Sequence, residues 1–132
     1  MYITYQFDSV RGGKNNMKIT RRGIHYPSPE FKKWSQEIIW QLRLHKSHPT
    51  INQDNLFYTF YFCPRTKRRK DVPAILDAIF HCLEKAQIVS DDSVIKNILF
   101  YTFNDRQIKN ELTLIISESP IHLMPEYWRG KK

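Results

Sequence analysis

Four stretches of the chain are rich in β-branched and aromatic residues and too short for helices: 2–8, 55–63, 94–103 and 108–117. Each reads as a strand. NLFYTFYFC at 55–63 is dense enough in aromatics to be central in a sheet. Two other stretches place apolar residues at helical spacing. Phe31, Trp34, Ile38 and Leu42, with Trp40 nearby, predict a helix running to about Lys46. Ser28-Pro29-Glu30 opens it with a cap, a proline at the first helical position and an acid in the first turn; His45, His48 and Pro49 mark its end. Ile75, Ile79, Cys82, Leu83 and Ala86 predict a second helix over about Pro73–Ala86, with Asp77 and His81 off the buried stripe on one shared face.

Met17 to Tyr26 carries one or two short strands around Gly23, and 94–103 and 108–117 read as a hairpin across Asn104-Asp105-Arg106. The predicted order is β-(β)-α-β-α-β-β, an α+β fold with a mixed β-sheet and two main helices. No repeat or linker divides the 132 residues, so one domain over 1–132 is expected, with 120–132 a basic, aromatic tail that packs on a partner or stays loose.

Composition narrows the class. Hydrophobic residues make up 41% and aromatics 14%, enough for a folded core. The net charge of +8 points to an anionic partner, most simply nucleic acid. No apolar run is long enough for a membrane span, and the N-terminal residues lack the pattern of a signal peptide. Cys63 and Cys82 have no metal-type spacing and the five histidines are scattered, so reduced thiols in a cytoplasmic protein are expected and no zinc site is supported.

The chemistry concentrates between Arg65 and Asp92. Arg65, Lys67, Arg68, Arg69 and Lys70 run directly into Asp71, and a helix length later come Asp91 and Asp92. Cations neutralise phosphates. Carboxylates repel them, so the two belong together where a divalent cation bridges acid and phosphate, as Mg²⁺ does. The combination reads as metal-assisted phosphodiester cleavage; the plainer alternative is a solvated charged turn followed by an acidic helix start. Arg11, Lys14, Lys18, Arg21 and Arg22 form a second cationic cluster around Gly12-Gly13. Both clusters suit phosphate contacts rather than base reading. Asn15 and Asn16 either make the turn or touch base edges.

The layout resembles the RusA family of Holliday junction resolvases over nearly the whole chain. The likeness rests on the N-terminal strand with Lys14-Asn15-Asn16 and the basic stretch ending Arg21-Arg22-Gly23. It continues through a helix opened by Tyr26-Pro27-Ser28-Pro29-Glu30-Phe31, a strand and basic loop, an Asp-led helix, Lys85-Ala86, and Asp91-Asp92. The family's helix start is Asp-x-Asp-Asn with a Lys three residues beyond the Asn. Here Asp71 matches the first Asp and Asp92 the second member of the later pair. Pro73, Ala74 and Asp77 stand where the family has Asp, Asn and Lys.

Positions 73 and 77 are one helical turn apart, and side chains lean toward the helix N-terminus. Asp77 therefore reaches back over Pro73 and keeps the local carboxylate count. It is equally placed to be an exposed helix residue paired with a nearby base.

The resemblance implies a homodimeric, Mg²⁺-dependent endonuclease (Mn²⁺ a substitute) that cuts four-way DNA junctions in a bacterial or phage context. Asp71, Asp77 and Asp92 are the expected catalytic and metal-binding residues, Asp91 a further ligand candidate, and Lys70 the cation facing the developing charge. The alternative is a non-catalytic nucleic-acid-binding domain derived from a resolvase fold.

Overall fold

The computed structural model describes residues 2–11, 18–21, 24–46, 48–65, 71–104 and 108–121, with the backbone alone at Tyr2 and over 18–21 and 24–27. The elements are β1 (Tyr2–Phe7), β2 (Lys18–Arg21), β3 (Ile24–Pro27), α1 (Pro29–Leu44), β4 (Phe57–Phe62), α2 (Val72–Lys85), β5 (Asn97–Thr102) and β6 (Leu112–Ser117). A single 3-10 turn, Asp92–Val94, precedes β5. The fold is α+β, as the hydrophobic pattern predicts. The chain divides into two compact units, one of residues 1–10, 53–67 and 93–132, the other of 11–52 and 68–92.

The first unit is built on a four-stranded mixed sheet in the order β1-β6-β4-β5. β6 runs antiparallel to β1, with Tyr2 opposite Ser117 and Phe7 opposite Leu112. It is also antiparallel to β4, with Phe57 opposite Ser117. β5 is parallel to β4, with Phe60 opposite Phe100. The expected hairpin between 94–103 and 108–117 is therefore not formed, because β4 lies between the two strands.

Burial explains that order. Tyr58 to Phe62 and the whole of β6 are buried, whereas β5 is half-buried or exposed. Central positions withdraw the most apolar surface from water, so they go to the two most apolar strands. Parallel pairing also requires a long crossover, and the chain between β4 and β5 carries α2. Aromatic pairs bind β4 to β5. Tyr61 stacks on Tyr101 and Phe103 at 5.5 and 5.9 Å, and Phe60 on Phe100 at 5.9 Å. Tyr61, Cys63, Ile108 and Ile115 form one apolar cluster, flanked by Tyr101, Phe103 and Ile121.

The second unit holds the β2–β3 antiparallel pair, Lys18 opposite Pro27 and Arg21 opposite Ile24, and both helices. Ser28 caps α1, its Oγ accepting from the Phe31 amide at 3.1 Å. Phe31, Trp34, Ser35, Ile38 and Leu42 are the buried face. Trp40 is 64% exposed and does not join it, since two residues past Ile38 a helix has turned to its far side. α2 buries Ala74, Ile75, Ala78, Ile79, Cys82 and Leu83. The Cys82 thiol is directed at the Ser35 carbonyl, 4.0 Å away, and burial pushes its pKa up to about 12, so it has little thiolate character. Both cysteines are buried and neither is in a disulfide.

Candidate functional site

The acidic site is built by the way α2 ends. Gln87 takes φ 61°, a left-handed conformation that usually belongs to glycine. The Gln87 amide donates to the Glu84 carbonyl at 3.0 Å and the Ile88 amide to the Leu83 carbonyl at 2.9 Å. This is the paired bonding of a Schellman cap. Three further groups secure the turn: Arg43 Nη2 donates to the Lys85 carbonyl at 2.9 Å, Thr50 Oγ1 donates to the Gln87 carbonyl at 2.8 Å, and Lys46 Nζ donates to that same Oγ1 at 2.9 Å.

Beyond the cap the chain turns back and bridges Ile51. The Ile51 amide donates to the Ile88 carbonyl and the Ser90 amide to the Ile51 carbonyl, both at 2.8 Å. Ile88 and Val89 are buried, so the segment is anchored immediately before Asp91 and Asp92.

The reversal brings Asp91 and Asp92 back into the field of α2. The Asp92 carboxyl is held above its ordinary pKa, first by a hydrogen bond with Asp91, then by partial desolvation, and then by the negative charges of Asp91, Glu84 and Asp77. Asp77 is half-buried, and its Oδ2 is fully buried with no hydrogen-bond partner among the described residues. A buried acceptor is costly unless a donor or a cation meets it. That chemistry fits a hard divalent cation with oxygen ligands. Among the described residues, no three His, Cys, Asp or Glu side chains are grouped closely enough to hold an ion as they stand.

Of the acids expected from the sequence, Asp91 and Asp77 thus act on Asp92 through their charge, without forming a ligand group as they stand. Asp71 is the exposed N-cap residue of α2, makes no side-chain cap bond, and is not among the charges that raise Asp92. Glu84 is the acid that sequence reasoning missed. Its signal was present: 77, 81 and 84 recur at i, i+4 and i+7, one face of a helix. His81, on that face, lies against Phe31 at 6.3 Å between ring centroids.

Of the cationic residues, Arg11 and Arg65 are exposed. Lys18 and Arg21 lie on β2, with the backbone alone described. Lys14, Asn15, Asn16, Arg22, Lys67, Arg68, Arg69 and Lys70 lie outside the described residues, as do most of 120–132. No described helix is long and apolar enough to cross a membrane. In comparisons with known proteins, no family model and no curated protein matches the chain.

Proposed function

We propose that this chain is a divalent-metal-dependent DNA endonuclease acting on four-way junctions, in the manner of the RusA-type resolvases its sequence resembles. The observation that carries the reading is the negative field that Asp91, Glu84 and Asp77 set up at Asp92, with a buried oxygen on Asp77 that has no hydrogen-bond partner among the described residues, in a chain of net charge +8. Acids gathered at the expense of mutual repulsion, in a protein otherwise suited to polyanions, are best accounted for by a cation shared with substrate phosphate.

Asp77, Asp92, Asp91 and Glu84 would hold the metal, with Asp71 as an outlying ligand at the helix start. Bound Mg²⁺ or Mn²⁺ supplies polarisation of the scissile phosphate and a water of lowered pKa. The residues of this chain do the rest. Arg11 and the segment from Arg65 to Lys70 would hold the phosphodiester backbone, with Lys70 the cation assigned to the charge that develops on cleavage. A homodimer in the cytoplasm of a bacterium or phage-infected cell suits this role. A two-fold assembly presents two sites to two symmetry-related strands of a junction.

The test is incubation of the protein with four-way junction, linear duplex and single-stranded DNA, with and without Mg²⁺ or Mn²⁺. The expected result is metal-dependent nicking of the junction in preference to the other two. Junction binding without cleavage under any of these conditions would instead favour a non-catalytic binding domain.

A further inference from the structure

Thr50, an exposed residue on the segment that follows α1, links the ends of the two helices through its side chain. Its hydroxyl accepts from Lys46 Nζ at 2.9 Å and donates to the Gln87 carbonyl at 2.8 Å. Chemistry fixes that direction. An ammonium only donates and a carbonyl only accepts, so the single hydroxyl proton lies on the Gln87 side. The charged donor also polarises the hydroxyl and strengthens the bond it makes in turn. Thr50 is itself anchored, because its neighbour Ile51 is buried and bridges Val89. Lys46, Thr50, Ile51, Gln87 and Val89 all belong to the second compact unit, as do Asp91 and Asp92.

Gln87 adopts φ 61° against the preference of a residue with a Cβ. The backbone bonds of the cap satisfy the carbonyls of Leu83 and Glu84, which lie before the turn. The Gln87 carbonyl lies beyond them, and its peptide plane sets the direction of the chain toward Ser90, Asp91 and Asp92. Thr50 holds that plane from the side. We infer that Thr50 is a positioning residue for the acidic site: oriented by Lys46, it fixes the Gln87 peptide and so the direction in which the chain delivers Asp91 and Asp92. The inference rests on the metal-dependent reading above. The role requires a hydroxyl. Serine keeps both bonds, whereas valine keeps the shape of threonine and removes both. A turn held in advance reduces the ordering that cation binding must otherwise supply.

The test measures Mn²⁺ binding by electron paramagnetic resonance in the absence of DNA, with a thermal melt of each protein alongside. Thr50→Val is expected to bind Mn²⁺ about fivefold more weakly than the wild-type chain, the scale of one hydrogen bond. Thr50→Ser is expected to bind as wild type. Gln87→Gly added to Thr50→Val is expected to restore most of the loss, because glycine takes the left-handed conformation without support. A folded Thr50→Val with wild-type affinity overturns the inference, whatever its Tm. So does a Thr50→Ser as weak as Thr50→Val, or a double variant with no recovery.

The double variant decides the matter if Thr50→Val alone does not fold. A folded double variant that binds Mn²⁺ as wild type supports the inference. One that binds weakly, or does not fold either, overturns it, since relief at Gln87 then fails to replace Thr50. If the wild-type chain binds no Mn²⁺, the metal-dependent reading fails and the role of Thr50 toward the cation falls with it. Undiminished binding by Thr50→Val, in a protein whose wild type does bind, defeats the Thr50 inference alone.

Discussion

Asp92, beyond the reversal that follows α2, is held above its ordinary pKa first by its hydrogen bond with Asp91, then by partial desolvation and the charges of Asp91 and Glu84, and last by the charge of Asp77, midway along α2. Helix spacing and the Gln87 turn together produce this relationship, and it places Asp77 in the acidic group although position 77 departs from the family pattern that the sequence otherwise resembles.

Asp77→Ala is expected to fold at least as well as the wild-type chain, because it removes a like charge and a buried unpartnered oxygen. Mg²⁺-dependent junction cleavage should fall by about two orders of magnitude, the scale of a principal electrostatic contributor. Asp92→Asn should abolish cleavage and leave junction binding intact or tighter. Asp71→Asn is the sharper test, since Asp71 stands apart from the other acids: near wild-type cleavage would remove it from the ligand set. Single-turnover assays alongside thermal melts separate chemistry from folding.

Folding raises the Asp92 pKa above its ordinary value of 3.8. Between the unfolded and folded values the native protein holds more proton than the unfolded chain. The stability contributed by this group is therefore greatest below the unfolded pKa and declines as pH rises through the folded one. In metal-free protein, Asp92→Asn should lack that decline, so its stability advantage over wild type grows with pH across this window. Urea unfolding of both proteins over a pH series, with chelator present, measures the difference; a gap that stays constant or shrinks with pH contradicts the assignment. Added Mg²⁺ should stabilise the wild-type chain increasingly as pH rises, since metal and proton compete for the same oxygens.

Gln87 occupies a left-handed position that costs a residue with a Cβ roughly 1–2 kcal/mol. Gln87→Gly should stabilise the protein by about 0.5–1 kcal/mol after the glycine's own entropy is counted, and Gln87→Val should destabilise it by at least as much. Because the turn carries Asp91 and Asp92, Gln87→Val should also reduce metal-dependent cleavage beyond its effect on Tm. Loss of stability with cleavage by the folded fraction unchanged would separate the turn from the site.

Replacing Arg68 and Arg69 together by Ala should weaken binding to all junction sequences about equally. The slope of log affinity against log salt should shrink by about one unit for each phosphate that the loop no longer neutralises. An unchanged slope would identify this loop as a solvated face and move the DNA surface elsewhere.

Local order along the chain was enough for the elements and for most of the candidate acids. Ser28-Pro29-Glu30 announces α1 because capping chemistry is local. The buried stripe Ile75, Ile79, Cys82 and Leu83 announces α2 because its period is that of the helix, and the same period places Asp77 off that stripe.

Tertiary structure decided what depends on residues far apart in the chain. Strand order is one case: β4 separates β5 from β6, because the competition for central positions is settled by total burial rather than by nearness in sequence. The acidic group is another. Gln87 in a left-handed turn has no sequence signature, since that conformation usually belongs to glycine, yet after it Asp92 feels the charges of Glu84 and Asp77 on α2. Glu111 is the clearest. In the sequence it is a polar residue at the edge of an apolar strand; in the fold it is a buried acceptor for amides 101 and 46 residues away, a role that exists only once those backbone donors are brought to it.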